Sequence, residues 1–188
     1  MEINVPGKQA DYVKLYRFLD REFCNTTVNS ITNADWSKHT YYDYITDRHN
    51  SFDDDLSITY AANPFKTMIQ RRLTEPVNQY ISELGVSWFT SWNEASEIRF
   101  NRYNTGTNMK IHCDHIHTLF DGRRRGIPIL TLLGLLNDDF QGGEFKLCGE
   151  TVNLGVGDII VFPSNFMYPH EVTTVTQGTR YSYVSWVH

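Results

Sequence analysis

Four residues in the second half of the sequence could together hold a metal ion and an anion. His112 and Asp114 are separated by one residue, and His170 and Arg180 follow far downstream. Two imidazoles and one carboxylate are the ligand set of a facial non-haem iron(II) site, which keeps coordination positions open for small ligands. An arginine pairs bidentately with carboxylates and is always charged. The combination predicts a metal centre with an anion-binding side chain beside it.

Residues 109–114 are interpreted as a strand that carries two of the metal ligands. The period of two in a strand places His112 and Asp114 on one face, with Cys113 pointing away. The third ligand has to come from another strand, and His170 is expected to begin one. An His-x-Asp triplet alone is a weak signal, but together with the distal histidine and arginine it favours a metal site.

Arg180 lies in a second alternating segment, residues 178–186. The alternation places Arg180 and Ser182 on the same face, and a guanidinium with a hydroxyl is a natural receptor for a carboxylate. A lone arginine would more often pair with an acid at the surface. An arginine that faces inward near a metal needs an anion.

Two further features of the segment after Asp114 allow more than one interpretation. His115 and His117 would lie on the face opposite the chelating pair, so metal ligation is disfavoured, while contact with a ligand or with another site residue stays open. Three consecutive arginines, residues 123–125, lie between two glycines. They form either a solvated loop tip or a lid that contacts the substrate.

The chain is long enough to hold such a site in a single domain spanning residues 1–188. With 40% hydrophobic content, a chain of this size buries roughly 70% of its unfolded surface. Three cysteines are too few for a disulfide framework or a four-ligand zinc site. No signal peptide or membrane-spanning segment is recognisable, so we expect a soluble, cytoplasmic protein with no membrane partner.

A formal net charge of -5 argues against nucleic acid as a general partner, because such binding depends on lysines and arginines that neutralise phosphates. The oligomeric state is left undetermined by the sequence.

The first half of the chain is interpreted as mainly helical. Apolar residues at helical spacing predict an amphipathic helix over residues 11–24. A second helix is predicted to begin at Asn63-Pro64, a capping residue followed by the proline favoured at the first helical position. Pro76 should kink it or divide it into two shorter helices. Between them, residues 36–43 are interpreted as a strand and residues 49–57 as a polar loop.

From residue 97 onward, β-branched and aromatic runs alternate with turn signals. Residues 127–136 and 157–162 are nearly continuous apolar runs, as expected of strands covered on both faces. We therefore expect an α+β, mainly β protein. Its core at about residues 96–188 would be a double-stranded β-helix, that is, a cupin-like jelly roll, with helices from about residues 1–95 packed on one sheet.

These features together resemble the iron(II)- and 2-oxoglutarate-dependent dioxygenases, and within them the prolyl 4-hydroxylase-like branch. The resemblance covers about Arg99 to Trp186. Its motifs are Tyr103 and Gly106, the triplet His112 to Asp114, Leu136-Asn137-Asp138, residues 140–145, residues 155–162, His170 and Arg180.

The resemblance implies Fe(II) held by the three predicted ligands, with 2-oxoglutarate and O2 as co-substrates and ascorbate as a candidate accessory reductant. It implies that the distal carboxylate of 2-oxoglutarate pairs with Arg180, helped by Ser182, and that Tyr103 approaches the co-substrate. Many relatives carry a tyrosine where this chain has Leu135. The missing hydroxyl would then come from Thr131 or Ser182.

The resemblance implies hydroxylation of an unactivated C–H bond, with prolyl residues in a peptide or protein as the leading substrate class. A free amino acid or another small metabolite is the next candidate. Two competing functions stay open. One is a nucleic-acid dealkylase of the same superfamily, which would use the arginine loop on phosphates. The other is a metal-binding jelly roll without oxygenase activity, which would leave Arg180 and Ser182 without a role.

Overall fold

The computed structural model describes residues 8–43, 46–87, 89, 92–114 and 128–188. The helices in these segments are a 3-10 helix at Gln9–Tyr12, α1 (Arg21–Ile31), α2 (Pro64–Arg72) and α3 (Thr74–Leu84). The strands are β1 (Lys14–Arg17), β2 (Ser37–Lys38), β3 (Tyr41–Asp43), β4 (Arg48–Asn50), β5 (Ser57–Thr59), β6 (Arg99–Asn104), β7 (Met109–His112), β8 (Leu130–Leu135), β9 (Phe140–Gly142), β10 (Phe145–Leu147), β11 (Glu150–Thr151), β12 (Asp158–Pro163), β13 (His170–Val172) and β14 (Val175–Val187).

Two antiparallel sheets form the body of the protein. The large sheet has the strand order β1-β12-β8-β14-β6-β5-β2, with β9 paired to β14. The small sheet has the order β11-β10-β13-β7, and β3 pairs with β4 in a separate ribbon. Buried residues from both sheets share one apolar cluster, so the sheets face each other. This is the predicted double-stranded β-helix.

The large sheet is covered on both faces, as the continuous apolar runs predict. In β12, Ile159 and Val161 pack in the cluster shared with the helices, while Ile160 and Phe162 pack in the cluster between the sheets. Strand β8 alternates in the same way, and all six of its residues are buried. The interior of the jelly roll is therefore closed on the side of the helices.

The predicted helix over residues 11–24 is wrong. Lys14–Arg17 form the edge strand β1, in which Lys14 pairs with Val161 and Arg17 with Asp158. The helix begins only at Arg21, where the side chain of Asp20 accepts a hydrogen bond from the backbone N–H of Phe23 at 2.7 Å. The four residues of β1 fit a helical period by chance. The backbone hydrogen bonds with β12 make them a strand rather than a helix.

The prediction for the second helical segment is confirmed. The side chain of Asn63 caps α2 by accepting from the N–H of Lys66 at 2.8 Å, and Pro64 occupies the first turn. The segment divides at Leu73 into α2 and α3, with Pro76 in the first turn of α3, where its missing N–H costs nothing.

The predictions between the helices are partly wrong. The expected strand over residues 36–43 is two short strands, β2 and β3, which belong to different sheets. The expected loop over residues 49–57 contains most of β4 and the first residue of β5. β5 lies between β2 and β6, whereas β3 and β4 pair with each other as a local ribbon. Among the described residues, no helix is both long and apolar enough to span a membrane.

Replacement of Asp20 by alanine tests where α1 begins. The Asp20→Ala variant should lose about 1 kcal/mol of unfolding free energy, because one backbone donor of the first turn loses its acceptor. Asp20→Asn keeps an acceptor and should stay close to the wild type. Urea unfolding followed by far-ultraviolet circular dichroism measures both. Equal stability of the alanine variant and the wild type would contradict a capping role.

Candidate metal and co-substrate site

The side chains of His112, Asp114 and His170 meet at the open end of the two sheets. One ligand atom from each lies within 4.8 Å of the others. The Nε2 atom of His112 lies 3.6 Å from Oδ1 of Asp114, and Nε2 of His170 lies 3.6 Å from Oδ2. Two imidazole nitrogens and a carboxylate that converge in this way have the composition of a facial iron(II) site.

Antiparallel pairing of β7 and β13 brings the two histidines together. His112 is the last residue of β7 and lies directly opposite His170, the first residue of β13, with ring centroids 4.3 Å apart. Asp114 lies two residues beyond the end of β7 rather than within it. The predicted strand over residues 109–114 is therefore too long by two residues, although the carboxylate still reaches both histidines.

Backbone carbonyl groups fix the orientation of both imidazole rings. The Nδ1 atom of His112 lies 2.8 Å from the carbonyl oxygen of Lys110, and Nδ1 of His170 lies 3.1 Å from that of Tyr168. A carbonyl oxygen only accepts hydrogen bonds, so each Nδ1 must carry the proton and donate. In a neutral imidazole the lone pair then lies on Nε2, the atom that faces Asp114. Both rings are thus oriented to offer Nε2 to a metal.

Burial and mutual attraction set the protonation states of this cluster. Burial opposes ionisation of Asp114, but the combined attraction of His112 and His170 outweighs it and holds the pKa of the carboxyl well below its usual range. Burial lowers the pKa of His170, only partly offset by the charge of Asp114. A carboxylate with deprotonated imidazole nitrogens is the form that binds a divalent metal.

Thr131 contacts Asp114 rather than Arg180. Its hydroxyl donates to Oδ2 of Asp114 at 2.7 Å and lies 2.8 Å from the hydroxyl of Ser164. Both hydroxyl residues are buried. The sequence predicts Thr131 as a substitute donor for the distal carboxylate of a co-substrate, but in β8 it lies four residues before Leu135. The structure instead gives it a place behind the carboxylate of the triad.

Arg180 is fully buried without an acidic partner among the described residues. Its Nη1 donates to the hydroxyl of Ser182 at 2.9 Å, which confirms that the two residues share a face. Its guanidinium lies 5.1 Å from the ring centroid of Tyr103 and 6.0 Å from that of Phe140. Burial lowers the pKa of Arg180, yet a guanidinium stays charged in proteins. A buried, uncompensated cation is costly, so an anion is expected to complete the site.

The absence of a side chain at Gly143 leaves space for that arginine. Gly143 has a φ of +63°, and a Cβ atom there would lie 3.1 Å from Cδ of Arg180 and 2.9 Å from Val175. Any other residue would be strained and would push on the guanidinium stem. Gly143 of the motif at residues 140–145 thus makes room for Arg180, whereas Gly142 lies against the backbone of Thr174.

Alternate side chains of the paired strands β6 and β14 form one inward-facing surface. Tyr103 pairs with Arg180, and Asn101 pairs with Ser182. Tyr103 is 2% exposed, and burial raises the pKa of its hydroxyl, so it is a neutral phenol. Asn101 is equally buried but is not among the site residues predicted from the sequence. The polar side chains at every second position of β6 are the signal that could have identified it.

Cavities lined by described residues adjoin this surface. One of about 530 Å3 borders His112 and Asp114 on the outside. A second of about 20 Å3 is lined by the triad and Tyr103, room for about one water. A third of about 380 Å3 borders Arg180. An organic ligand that reaches from the triad to Arg180 therefore requires side chains there to move apart.

Some candidate residues identified in the sequence lie outside the part of the chain that the structure describes. His115, His117 and the arginine run at residues 123–125 fall in the gap between residues 114 and 128. Their predicted roles stay predictions.

Comparison with known proteins finds similarities to one family of oxygenases. Residues 98–188 match the model of the 2OG-Fe(II) oxygenase superfamily. A PKHD-type hydroxylase of Idiomarina loihiensis is 35% identical over 98 residues, which cover 50% of this chain and 43% of that protein. The chain thus spans less than half the length of this curated relative. Over residues 98–188, the chain is similar to the 2OG-Fe(II) oxygenase superfamily, which is named for 2-oxoglutarate and Fe(II).

Solved structures share the fold across almost the whole chain. A viral collagen prolyl hydroxylase from Paramecium bursaria Chlorella virus-1, in complex with 2-oxoglutarate, superimposes with a TM-score of 0.65 at 16% identity and covers 94% of both chains. A prolyl hydroxylase from Trichoplax adhaerens, in complex with a hypoxia inducible factor peptide, gives a TM-score of 0.68 at 18% identity, with 94% of this chain and 83% of that chain covered. At these identities the likeness concerns the fold, which is that of prolyl hydroxylases.

Replacement of Thr131 by valine tests its contact with Asp114. The isosteric change removes the donor to Oδ2, so the carboxylate loses its fixed orientation and metal affinity should fall about 10- to 100-fold. Titration with Mn(II), followed by electron paramagnetic resonance, measures the affinity. Thr27→Val is the matched control, because Thr27 is also buried and donates to a carbonyl, that of Phe23, far from the triad. Equal losses in both variants would assign Thr131 a general role in stability.

Proposed function

We propose that this protein is an Fe(II)- and 2-oxoglutarate-dependent dioxygenase that hydroxylates an unactivated C–H bond. The observation that carries the proposal is the combination of a His-Asp-His cluster with a buried arginine that has no acidic partner among the described residues. The cluster alone would suit many metalloproteins, and a buried arginine alone would suit any anion. Together they provide a site for a metal and a separate site for an anion in one protein interior.

The donor set fits iron(II). His112, Asp114 and His170 would be the three protein ligands, and the low pKa of the Asp114 carboxyl keeps it in the ionised form that binds a divalent cation. The hydroxyl of Thr131 would hold Oδ2 of Asp114 and leave Oδ1 directed to the metal. This arrangement supports Thr131 as a positioning residue rather than a co-substrate ligand.

The buried polar groups also fit a dicarboxylate. Arg180 would pair with the distal carboxylate of 2-oxoglutarate and gain the counter-charge that its environment lacks. Ser182 accepts a hydrogen bond from Arg180, so its own O–H is free to donate to the same carboxylate. That donor would replace the hydroxyl that relatives supply at the position of Leu135. The phenol of Tyr103, stacked beside the guanidinium, would wall the pocket and donate to the co-substrate.

With Fe(II) and 2-oxoglutarate bound, the site would catalyse the oxidation of 2-oxoglutarate by O2 to succinate and carbon dioxide. This reaction would be coupled to hydroxylation of the substrate. The protein's own contribution is to bind, orient and exclude water. Arg180 is almost fully buried, and burial would strengthen its ion pair with a bound carboxylate. Ascorbate would serve as an accessory reductant that keeps the metal as iron(II).

We infer a peptide or protein as the leading substrate class, with a prolyl residue at the reacting position. The support is the family resemblance and the fold shared with prolyl hydroxylases, one of which was solved with a peptide. A free amino acid or small metabolite is the alternative. The acidic net charge of -5 argues against nucleic acid. A jelly roll that only binds metal would leave the buried charge of Arg180 without a partner.

The proposed reaction can be tested without a known substrate. The protein loaded with Fe(II) under anaerobic conditions should bind 2-oxoglutarate and, once O2 is admitted, form succinate slowly in an uncoupled reaction. Asp114→Ala should abolish metal binding and succinate formation, because one of only three protein ligands is lost. Asp138→Ala is the control, since this exposed carboxylate pairs with Arg21 far from the triad. Iron binding without any succinate from the wild type would contradict the oxygenase function.

Replacement of Arg180 by methionine separates co-substrate binding from metal binding. Arg180→Met should weaken 2-oxoglutarate by about 2 to 5 kcal/mol, a fall of ~30-fold or more, because the carboxylate loses a buried charge pair. Metal affinity should change little. The unliganded variant should be at least as stable as the wild type, since an uncompensated buried cation is removed. Thermal shifts with Mn(II) alone and with Mn(II) plus 2-oxoglutarate measure both effects.

The surface arginine Arg17, which is ion-paired with Asp158, provides the matched control for loss of charge. The Arg17→Met variant should keep the full stabilisation by 2-oxoglutarate. If Arg180→Met also kept it, the distal carboxylate would have to bind elsewhere.

A further inference from the structure

The cavity outside the triad has a volume of about 530 Å3 and is separate from the proposed position of 2-oxoglutarate at Arg180. It borders His112 and Asp114, so a molecule bound in it would lie against the metal ligands. This volume suits a small molecule or one or two residues of a peptide. The chemistry of its walls therefore bears on the substrate.

Most charged groups in the walls of this cavity are already satisfied. The Nζ atom of Lys110 lies 3.5 Å from Oδ1 of Asp54 and 3.5 Å from the ring centroid of Phe52. The buried carboxylate of Asp55 accepts a hydrogen bond from the backbone N–H of Phe52. Burial lowers the pKa of His39 to about 4, so its imidazole is neutral near pH 7. None of these groups requires a charged ligand.

Arg99 is the exception. It is half-buried, and no carboxylate among the described residues pairs with it. Its Nε donates to Oδ1 of Asn101 at 3.1 Å, and its guanidinium lies 5.0 Å from the ring centroid of Trp186. These two contacts hold the guanidinium plane in place, and among the described residues neither terminal nitrogen has a hydrogen-bond acceptor. An arginine fixed in this way is preorganised to bind a carboxylate through two hydrogen bonds.

Arg99 and Arg180 lie at opposite ends of the same inward-facing surface. Arg99 pairs with Val184 across β6 and β14, and Tyr103 pairs with Arg180. Four residues along a strand separate the two levels by about 13 Å. The triad, Arg99 and Tyr103 all line the same narrow cavity. One cation is thus available on the co-substrate side of the triad and another on the side of the outer cavity.

We propose that Arg99 binds a carboxylate of the substrate and so orients the reacting C–H bond towards the triad. The inference rests on the proposed oxygenase function and narrows its substrate to molecules with a carboxylate near the reacting carbon. The carboxylate could be the terminal group of an amino acid or peptide, or the side chain of an acidic residue. Both sources offer the same planar, bidentate acceptor.

Binding of matched acids and amides tests this inference directly. The probes are N-acetyl amino acids, each as the free acid and as the primary amide, and N-acetyl-aspartate amide against N-acetyl-asparagine amide for a side-chain carboxylate. The protein is loaded with Zn(II) and saturating 2-oxoglutarate, so that Arg180 is occupied. Ligand-observed NMR measures the affinities. The wild type should prefer at least one acid over its amide by about tenfold, the effect of a charged hydrogen-bonded pair.

The Arg99→Gln variant should lose this preference and bind acid and amide alike, to within about twofold. Arg102→Gln is the matched control, because Arg102 lies on the same strand, faces the other side and also stacks on a tryptophan, 4.5 Å from the ring centroid of Trp36. It removes the same charge and a similar stacking contact, yet should keep the preference. Lys110→Gln tests the other cation of the cavity and should also keep it.

Three results would overturn the assignment. They are the absence of binding by every probe, equal binding of acids and amides by the wild type, and a preference that survives in Arg99→Gln. The affinity for 2-oxoglutarate is measured on the same samples. A wild-type protein that does not bind 2-oxoglutarate would contradict the proposed oxygenase function, whereas normal co-substrate binding without a preference for acids would contradict the role of Arg99 alone.

Discussion

The register of β14 is the constraint on which the site depends. This strand of 13 residues pairs with β6 on one side and with β8 and β9 on the other. Its register turns Arg180 and Ser182 inward and sends Tyr181 and Tyr183 to the helix-covered face. A slip by one residue would exchange the two faces. Two tyrosines would then enter the jelly roll, and the guanidinium would face the apolar layer beneath the helices.

Apolar packing on both faces of the large sheet resists such a slip. Strands β8 and β12 contribute side chains to both apolar clusters, so neither face can be moved without exposing buried surface or creating voids. Gly134 also favours this register, because a Cβ atom there would lie 2.2 Å from the ring of Tyr183 on the neighbouring strand. Only glycine leaves room for that ring. The core thus offsets the cost of the polar groups that the site holds inside the protein.

The polar groups of the site are arranged for partners that bind later. Arg180 is buried with a hydroxyl and two aromatic rings around it, and the triad brings a carboxylate against two imidazoles. Each arrangement costs free energy in the empty protein, and each is relieved by an opposite charge. Binding a cation at one place and an anion at the other would therefore stabilise the fold as well as assemble the reaction centre.

Several features were determined by the sequence alone. The residue types and spacing of the triad and Arg180 predicted a metal site with an anion receptor, and alternation predicted that Arg180 and Ser182 share a face, because these patterns depend on local periodicity. The cap at Asn63 and the division of the helix near Pro76 were also predictable, since both follow from interactions within a few residues.

Only the tertiary structure decided the features that depend on distant partners. Residues 14–17 are a strand because β12 offers them hydrogen bonds, although their spacing suits a helix. Thr131 lies behind Asp114 rather than beside Arg180 because the end of β7 approaches β8 at that level. That no carboxylate of the described residues forms an ion pair with Arg99 is likewise invisible in the sequence. In each case the deciding interaction joins residues that lie far apart along the chain, so no local pattern could reveal it.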